Sequence, residues 1–175
     1  MSKAIRGVAA DGAGNVLLVG TFFDSIDLGG GLLTSAGGQD IFVAKLDASG
    51  KHLRSKRFGD AGEPTGVSIA ADSADNAIVA GFFGGSLDFG GGLLVSSGSP
   101  ASIFVAKLAA DGSHIWSEAF DSGGAADIVV DHGRNLLITG NFSGAVDFGG
   151  GPLASAGGQD IFLTKLDAKR RSCVE

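Results

Sequence analysis

Four kinds of short apolar run recur along the chain, each closed by turn residues. The first is small-sided: Gly7-Val-Ala-Ala, Gly66-Val-Ser-Ile-Ala and Asp127-Ile-Val-Val. A tight link follows each one, DGAGN (11–15), DSADN (72–76) and DHGRN (131–135). Asp opening and Asn closing so short a link is hairpin chemistry, because both tolerate turn conformations. The second run is Val16-Leu-Leu-Val-Gly-Thr-Phe, matched by Ala77-Ile-Val-Ala-Gly-Phe-Phe and Leu136-Leu-Ile-Thr-Gly-Asn-Phe. The third spans Ile41 to Leu46, Ile103 to Leu108 and Ile161 to Leu166. In Ile41-Phe-Val-Ala-Lys-Leu both faces are apolar except at Lys45, the pattern of a strand buried on both sides. The fourth run, HLRSKRF from His52 and HIWSEAF from His114, is charged along its length. That suits a sheet edge, where charge discourages further pairing. The runs are short, β-branched and bounded by Gly, Asp and Asn, which argues for strands over helices.

The runs belong to one unit written three times. SAGGQDIFVAKLDA (Ser35 to Ala48) returns as SAGGQDIFLTKLDA (Ser155 to Ala168), and a looser copy, SGSPASIFVAKLAA, runs from Ser97 to Ala110. A period of about 60 residues points to radial or stacked repeats. Each unit predicts a four-stranded antiparallel meander with a small inner strand, two sandwiched strands and a charged outer edge. Such sheets repeated around an axis make a β-propeller. The expected fold is therefore all-β, a single propeller or half-propeller domain. Its repeats fall at about 6–58, 66–120 and 126–168, with a tail over 169–175. A stacked β-solenoid is the rival, although its coils repeat in far fewer residues.

GVAADGAGNVLLVGTF, VDFGGGPLASAGGQDIF, KLDASG and the WSEAF strand resemble the bacterial SBBP-type β-propeller repeat, over nearly all of the chain but its last seven or so residues. The resemblance implies a propeller used as a binding or structural module, in large secreted or cell-surface bacterial proteins. Departures are Arg54 where the next unit has Trp116, and Ser102 where the other copies have Asp40 and Asp160.

The third unit stops after its third run, and KRRSCVE stands where an edge strand is expected. Met1, Ser2, Lys3, Ala4 and Ile5 align with Trp116 to Phe120 and with Arg54 to Phe58, which predicts an edge strand cut loose from its own blade. The chain would then be permuted by one strand. Three blades are fewer than the four to eight that close a ring, and an open row exposes apolar flanks. The expected partner is a second copy joined head to tail, residues 1–5 of each completing the last blade of the other in a six-bladed ring. The alternative is a fragment whose remaining blades lie in a parent protein.

Composition narrows the function. Thirty-one glycines without a collagen period, in a chain 44% apolar, must serve turns and close approaches within a fold. A net charge of −6 with no basic patch argues against a nucleic-acid partner, and the terminal Lys169, Arg170 and Arg171 read as a solvated end. One cysteine, Cys173, leaves no disulfide framework or zinc cluster. There is neither a signal peptide nor an apolar run of membrane-spanning length. Taken literally the chain is cytoplasmic, whereas the resemblance implies an extracellular or cell-surface setting.

Candidate chemistry is sparse. The triplets Gly29–Gly31, Gly90–Gly92 and Gly149–Gly151 lack the helix and Lys-Ser/Thr of a phosphate loop, and their flanks predict a small hairpin. Asp27, Asp88 and Asp147 lack calcium-loop spacing, so hydrogen bonding to turn N–H groups is expected and no metal or cofactor is. His52 and His114 hold equivalent places and read as structural. Residues expected to line an axial channel are Val8, Ala10, Val67, Ile69 and Val129, with Asp127 alone ionisable. No nucleophile, base and orienting group come together. The leading reading is a non-enzymatic scaffold for structure or macromolecular binding. Its binding face would be the long loops Phe23–Asp40, Phe83–Ser102 and Ser143–Asp160, with Gln39, Asp40, Gln159 and Asp160 as candidates. A sugar-binding lectin is the alternative, although the chain has no Tyr and a single Trp to stack on a sugar. A hydrolase or lyase would need a polar cluster at the channel mouth.

Overall fold

Short β-branched runs closed by Asp, Asn and Gly pair in antiparallel order throughout the molecule. The structure, a computed structural model, describes residues 2–59, 64–97 and 101–167, without the side chain of Val67. Met1, the tail 169–175 with Cys173, and the expected channel side chain of Val67 lie outside the described residues. The first sheet holds β1 (Lys3–Ala10), β2 (Val16–Phe22), β5 (Asp40–Leu46) and β6 (His52–Phe58) in that order, with a side hairpin of β3 (Ser25–Asp27) and β4 (Leu32–Thr34). The second repeats it with β7 (Thr65–Ala71), β8 (Ala77–Phe83), β11 (Ser102–Leu108) and β12 (His114–Phe120), and its hairpin is β9 (Ser86–Asp88) with β10 (Leu93–Val95). The third has β13 (Gly123–Val130), β14 (Asn135–Asp147) and β15 (Pro152–Asp167), the long strands running on into their own hairpin. All described elements are strands, and among the described residues no sheet is closed.

Residues 3–5 correct the expected edge strand. Lys3, Ala4 and Ile5 pair with Phe22, Thr21 and Gly20 of their own sheet, and after a one-residue bulge Gly7 meets Val19. The other inner strands bulge at the same place, between Gly66 and Ser68 and between Ala125 and Asp127. Residues 3–5 are thus the start of an inner strand, and an edge role would cost these ladder bonds. A glycine in each second strand allows the approach. A Cβ on Gly20, Gly81 or Gly140 would lie 2.1, 2.0 or 2.2 Å from a carbonyl oxygen of the inner strand. The rings of Phe42, Phe104 and Phe162 cover the same glycines.

The sheets meet face to face through two joints of one design. At the first, Leu17, Val19, Ile41 and Val43 pack with Ile69, Val79, Phe83 and Phe104. At the second, Ile78, Ala80, Ile103 and Val105 pack with Ile128, Ile138, Phe142 and Phe162. The side hairpin wedges each joint. Phe89 lies 4.9 Å from Phe58 and 5.2 Å from Phe104, and Phe148 lies 4.9 Å from Phe120 and 4.8 Å from Phe162.

Candidate functional site

Ionisable side chains recur in the same structural places. Asp11 Oδ1 accepts from the N–H groups of Ala13 and Asn15, while Oδ2 takes the Asn15 amide and Lys45 Nζ at 2.6 Å. Asp72 with Lys107 and Asp131 with Lys165 repeat the link at 2.8 and 2.7 Å. The turn after the inner strand is so tied to the third strand. Burial opposes ionisation of Asp11 and Asp72, but the lysine, the asparagine and two backbone N–H groups outweigh it and hold both below the usual carboxylate range. At Asp131, Lys165 and then Asn135 drive the carboxyl the same way.

The glycine triplets and histidines form one device. Asp27 Oδ1 accepts from the N–H groups of Gly29 and Gly31 at 2.8 and 3.2 Å, and Asp88 and Asp147 do the same for their triplets. Gly29 and Gly31 take positive φ (94° and 105°). The middle glycine has a different constraint: a Cβ on Gly30 or Gly91 would lie 1.9 Å from Cε1 of His52 or His114. Each imidazole lies flat on a glycine, its Nε2 sharing a 3.0 Å hydrogen bond with Ser55 or Ser117 Oγ. At Gly150 nothing lies within 4 Å.

The four loop candidates separate. Asp40 is fully buried, pairs with Arg57 at 2.7 Å and accepts from the Ala36 N–H, which corrects its reading as a binding-face residue. Gln39 crosses the first joint, its amide donating to the Pro64 carbonyl and Thr65 Oγ1. Gln159, its counterpart at the exposed end of the row, donates to Asn141 Oδ1. Asp160 accepts from the Ala156 N–H at 2.6 Å and has no basic partner among the described residues. Gln159 also borders a hollow of about 350 Å³ with Phe82, Gly124 and Phe142.

The three inner strands line a cleft of about 500 Å³ whose polar side chains are Arg6, Ser68 and Asp127. Ser68 Oγ donates to Asp127 Oδ1 at 2.6 Å, linking the bulges of the second and third sheets. Ile69 turns into the first joint and is 4% exposed, so it belongs to the core more than to the cleft. Among the described residues no three His, Cys, Asp or Glu gather as a metal site.

Strand residues at the two ends of the row are exposed where their counterparts inside the row are buried. Ile161 (88%) and Leu163 (67%) hold the places that in the first sheet belong to Ile41 (0%) and Val43 (6%). On the opposite end face Ile5 and Val8 are exposed, where their counterparts Ala125, Ile69 and Ile128 are buried. Sequence reasoning anticipated exposed flanks but not these residues, because the bulge shifts which side chains of β1 face outward. No protein-family model matches the chain, and no curated protein matches it.

Proposed function

We propose that the chain is a β-propeller repeat module, a non-enzymatic scaffold for structure or macromolecular binding, and that two copies join head to tail in a six-bladed ring. One observation carries this reading: two joints of one design lie inside the chain, and the two end faces present the unpaired halves of a third. Ile161 and Leu163 on one face correspond to residues that bury Ile69 and Phe83 at the first joint, and Ile5 and Val8 on the other face correspond to residues buried at both joints. Repeating the internal operation with a second copy continues the row, and six blades fall within the range that closes. Covering each such side chain favours the assembly by about 1.5–3 kcal/mol. Gln159 would then donate to the Lys3 carbonyl of the second copy, as Gln39 does to that of Pro64. Likeness to the SBBP-type repeat supports the same reading. The non-enzymatic part rests on the structural employment of the recurrent carboxylates, lysines and histidines.

The test is a double substitution, Ile161→Asp with Leu163→Asp. Expected is a fall in solution mass to that of one chain, with the far-ultraviolet circular dichroism of the sheets unchanged. A variant that keeps the mass of the parent protein contradicts the proposed contact.

A further inference from the structure

The outer edge of β15 is built to take a strand that the described residues do not supply. In the first sheet β5 pairs with β6 through Ile41 with Phe58, Phe42 with Arg57, Ala44 with Ser55 and Leu46 with His52. The second sheet keeps this register, with Ile103 opposite Phe120, Ala106 opposite Ser117 and Leu108 opposite His114. Asp160 stands opposite Phe142 as Asp40 stands opposite Phe22, so β15 offers Ile161, Phe162, Thr164 and Leu166 at the matching places. Among the described residues no strand pairs with that edge. Beside it runs a trough of about 570 Å³ lined by Phe148, Gly150, Leu153, Leu163, Thr164 and Leu166.

Two features say what fits. The space over Gly150 is open, whereas the equivalent space over Gly30 and Gly91 is filled by an imidazole. Asp160 marks the second. In the first sheet the equivalent Asp40 is held by Arg57, and in the second sheet Ser102 replaces the aspartate while Ala119 takes the arginine's place. Aspartate goes with arginine, and serine with alanine. The third sheet has the aspartate without a basic partner, which calls for arginine.

We propose that the β15 edge accepts an extended antiparallel strand of pattern His-x-x-Ser-x-Arg-Phe, presented by a segment outside residues 1–175. Its imidazole lies on Gly150, its guanidinium on Asp160 and its ring beside Ile161. Backbone hydrogen bonds along the edge supply affinity, and the two side-chain seats supply specificity. Residues 168–175, AKRRSCVE, contain neither histidine nor phenylalanine and do not carry the pattern. The inference rests on the four-stranded order of the first two sheets and is independent of dimer closure.

The test titrates the full chain, by calorimetry at physiological salt, with synthetic peptides of residues 51–59 (KHLRSKRFG) and 113–121 (SHIWSEAFD), and with a scramble of the first. Expected is binding of one peptide per chain, tightest for KHLRSKRFG and absent for the scramble. Asp160→Ser weakens the arginine peptide about tenfold, the scale of a lost charge-assisted hydrogen bond, with little effect on the other. Gly150→Val, whose folding is checked by circular dichroism, weakens both. The proposal is overturned if neither peptide binds, if the scramble binds equally, or if binding ignores both substitutions.

Discussion

At the scale of the residue, one aspartate and one glycine show how a repeat fixes chemistry. The Asp40 carboxylate is fully buried and Arg57, about one-third exposed, is its only charged partner among the described residues, so Arg57→Ala should destabilise the chain by about 1–3 kcal/mol, the cost of a buried polar group left without its partner. Adding Asp40→Ser builds the Ser102–Ala119 arrangement of the second sheet into the first. The double variant should recover most of that loss in urea titrations, and a double variant no more stable than Arg57→Ala contradicts the equivalence. Gly91→Val forces a side chain into the His114 ring and should cost about 1–3 kcal/mol. Gly150→Val meets open space and should be near neutral. Equal effects at both positions, read as shifts in Tm, would refute the stacked histidine.

At the scale of the element, the turn-to-strand ion pairs make the sheets sensitive to acid. The carboxyls of Asp11, Asp72 and Asp131 are depressed in the fold, so their contribution is complete above the unfolded value of about 4 and is lost as pH falls below it. The urea midpoint should hold level from neutral pH to about pH 4.5 and then decline, with a shallower decline in Asp11→Asn. A midpoint constant down to pH 2 contradicts this. The sequence makes the strands legible where turn chemistry brackets them: β2, β6 and β12 begin and end at the residues that their runs and turns mark. The small hairpin at Ile26 to Leu33 was legible too, because apolar flanks, Ile26 to Leu28 and Leu32 to Leu33, bracket the turn-forming glycine triplet. The start of β1 was not. The bulge at Arg6 breaks the alternation of side chains, so residues 1–5 matched an edge strand by apolar ends and a shared serine. The long β14 and β15 were hidden for a related reason, since only in the third unit does the hairpin continue the ladder of its sheet. Of the site, the sequence showed repeated Asp, Gly and His but not their pairing. Lys45 with Asp11 and His52 with Gly30 are meetings of distant strands that no local spacing encodes.

At the scale of the whole molecule, the described sheets form an open row with apolar strand residues exposed at both ends. Ile161 at 88% and Leu163 at 67% exposure are uncommon placements for residues whose counterparts in the first sheet are buried. The proposed closure by a second copy would bury both end faces together, and a head-to-tail contact that closes on itself avoids open filaments. The most direct test is the mass of the purified chain by light scattering with size-exclusion chromatography at micromolar concentration. A mass twice the 17.4 kDa of one chain is the result predicted, and a species of 17.4 kDa at every concentration would contradict the ring.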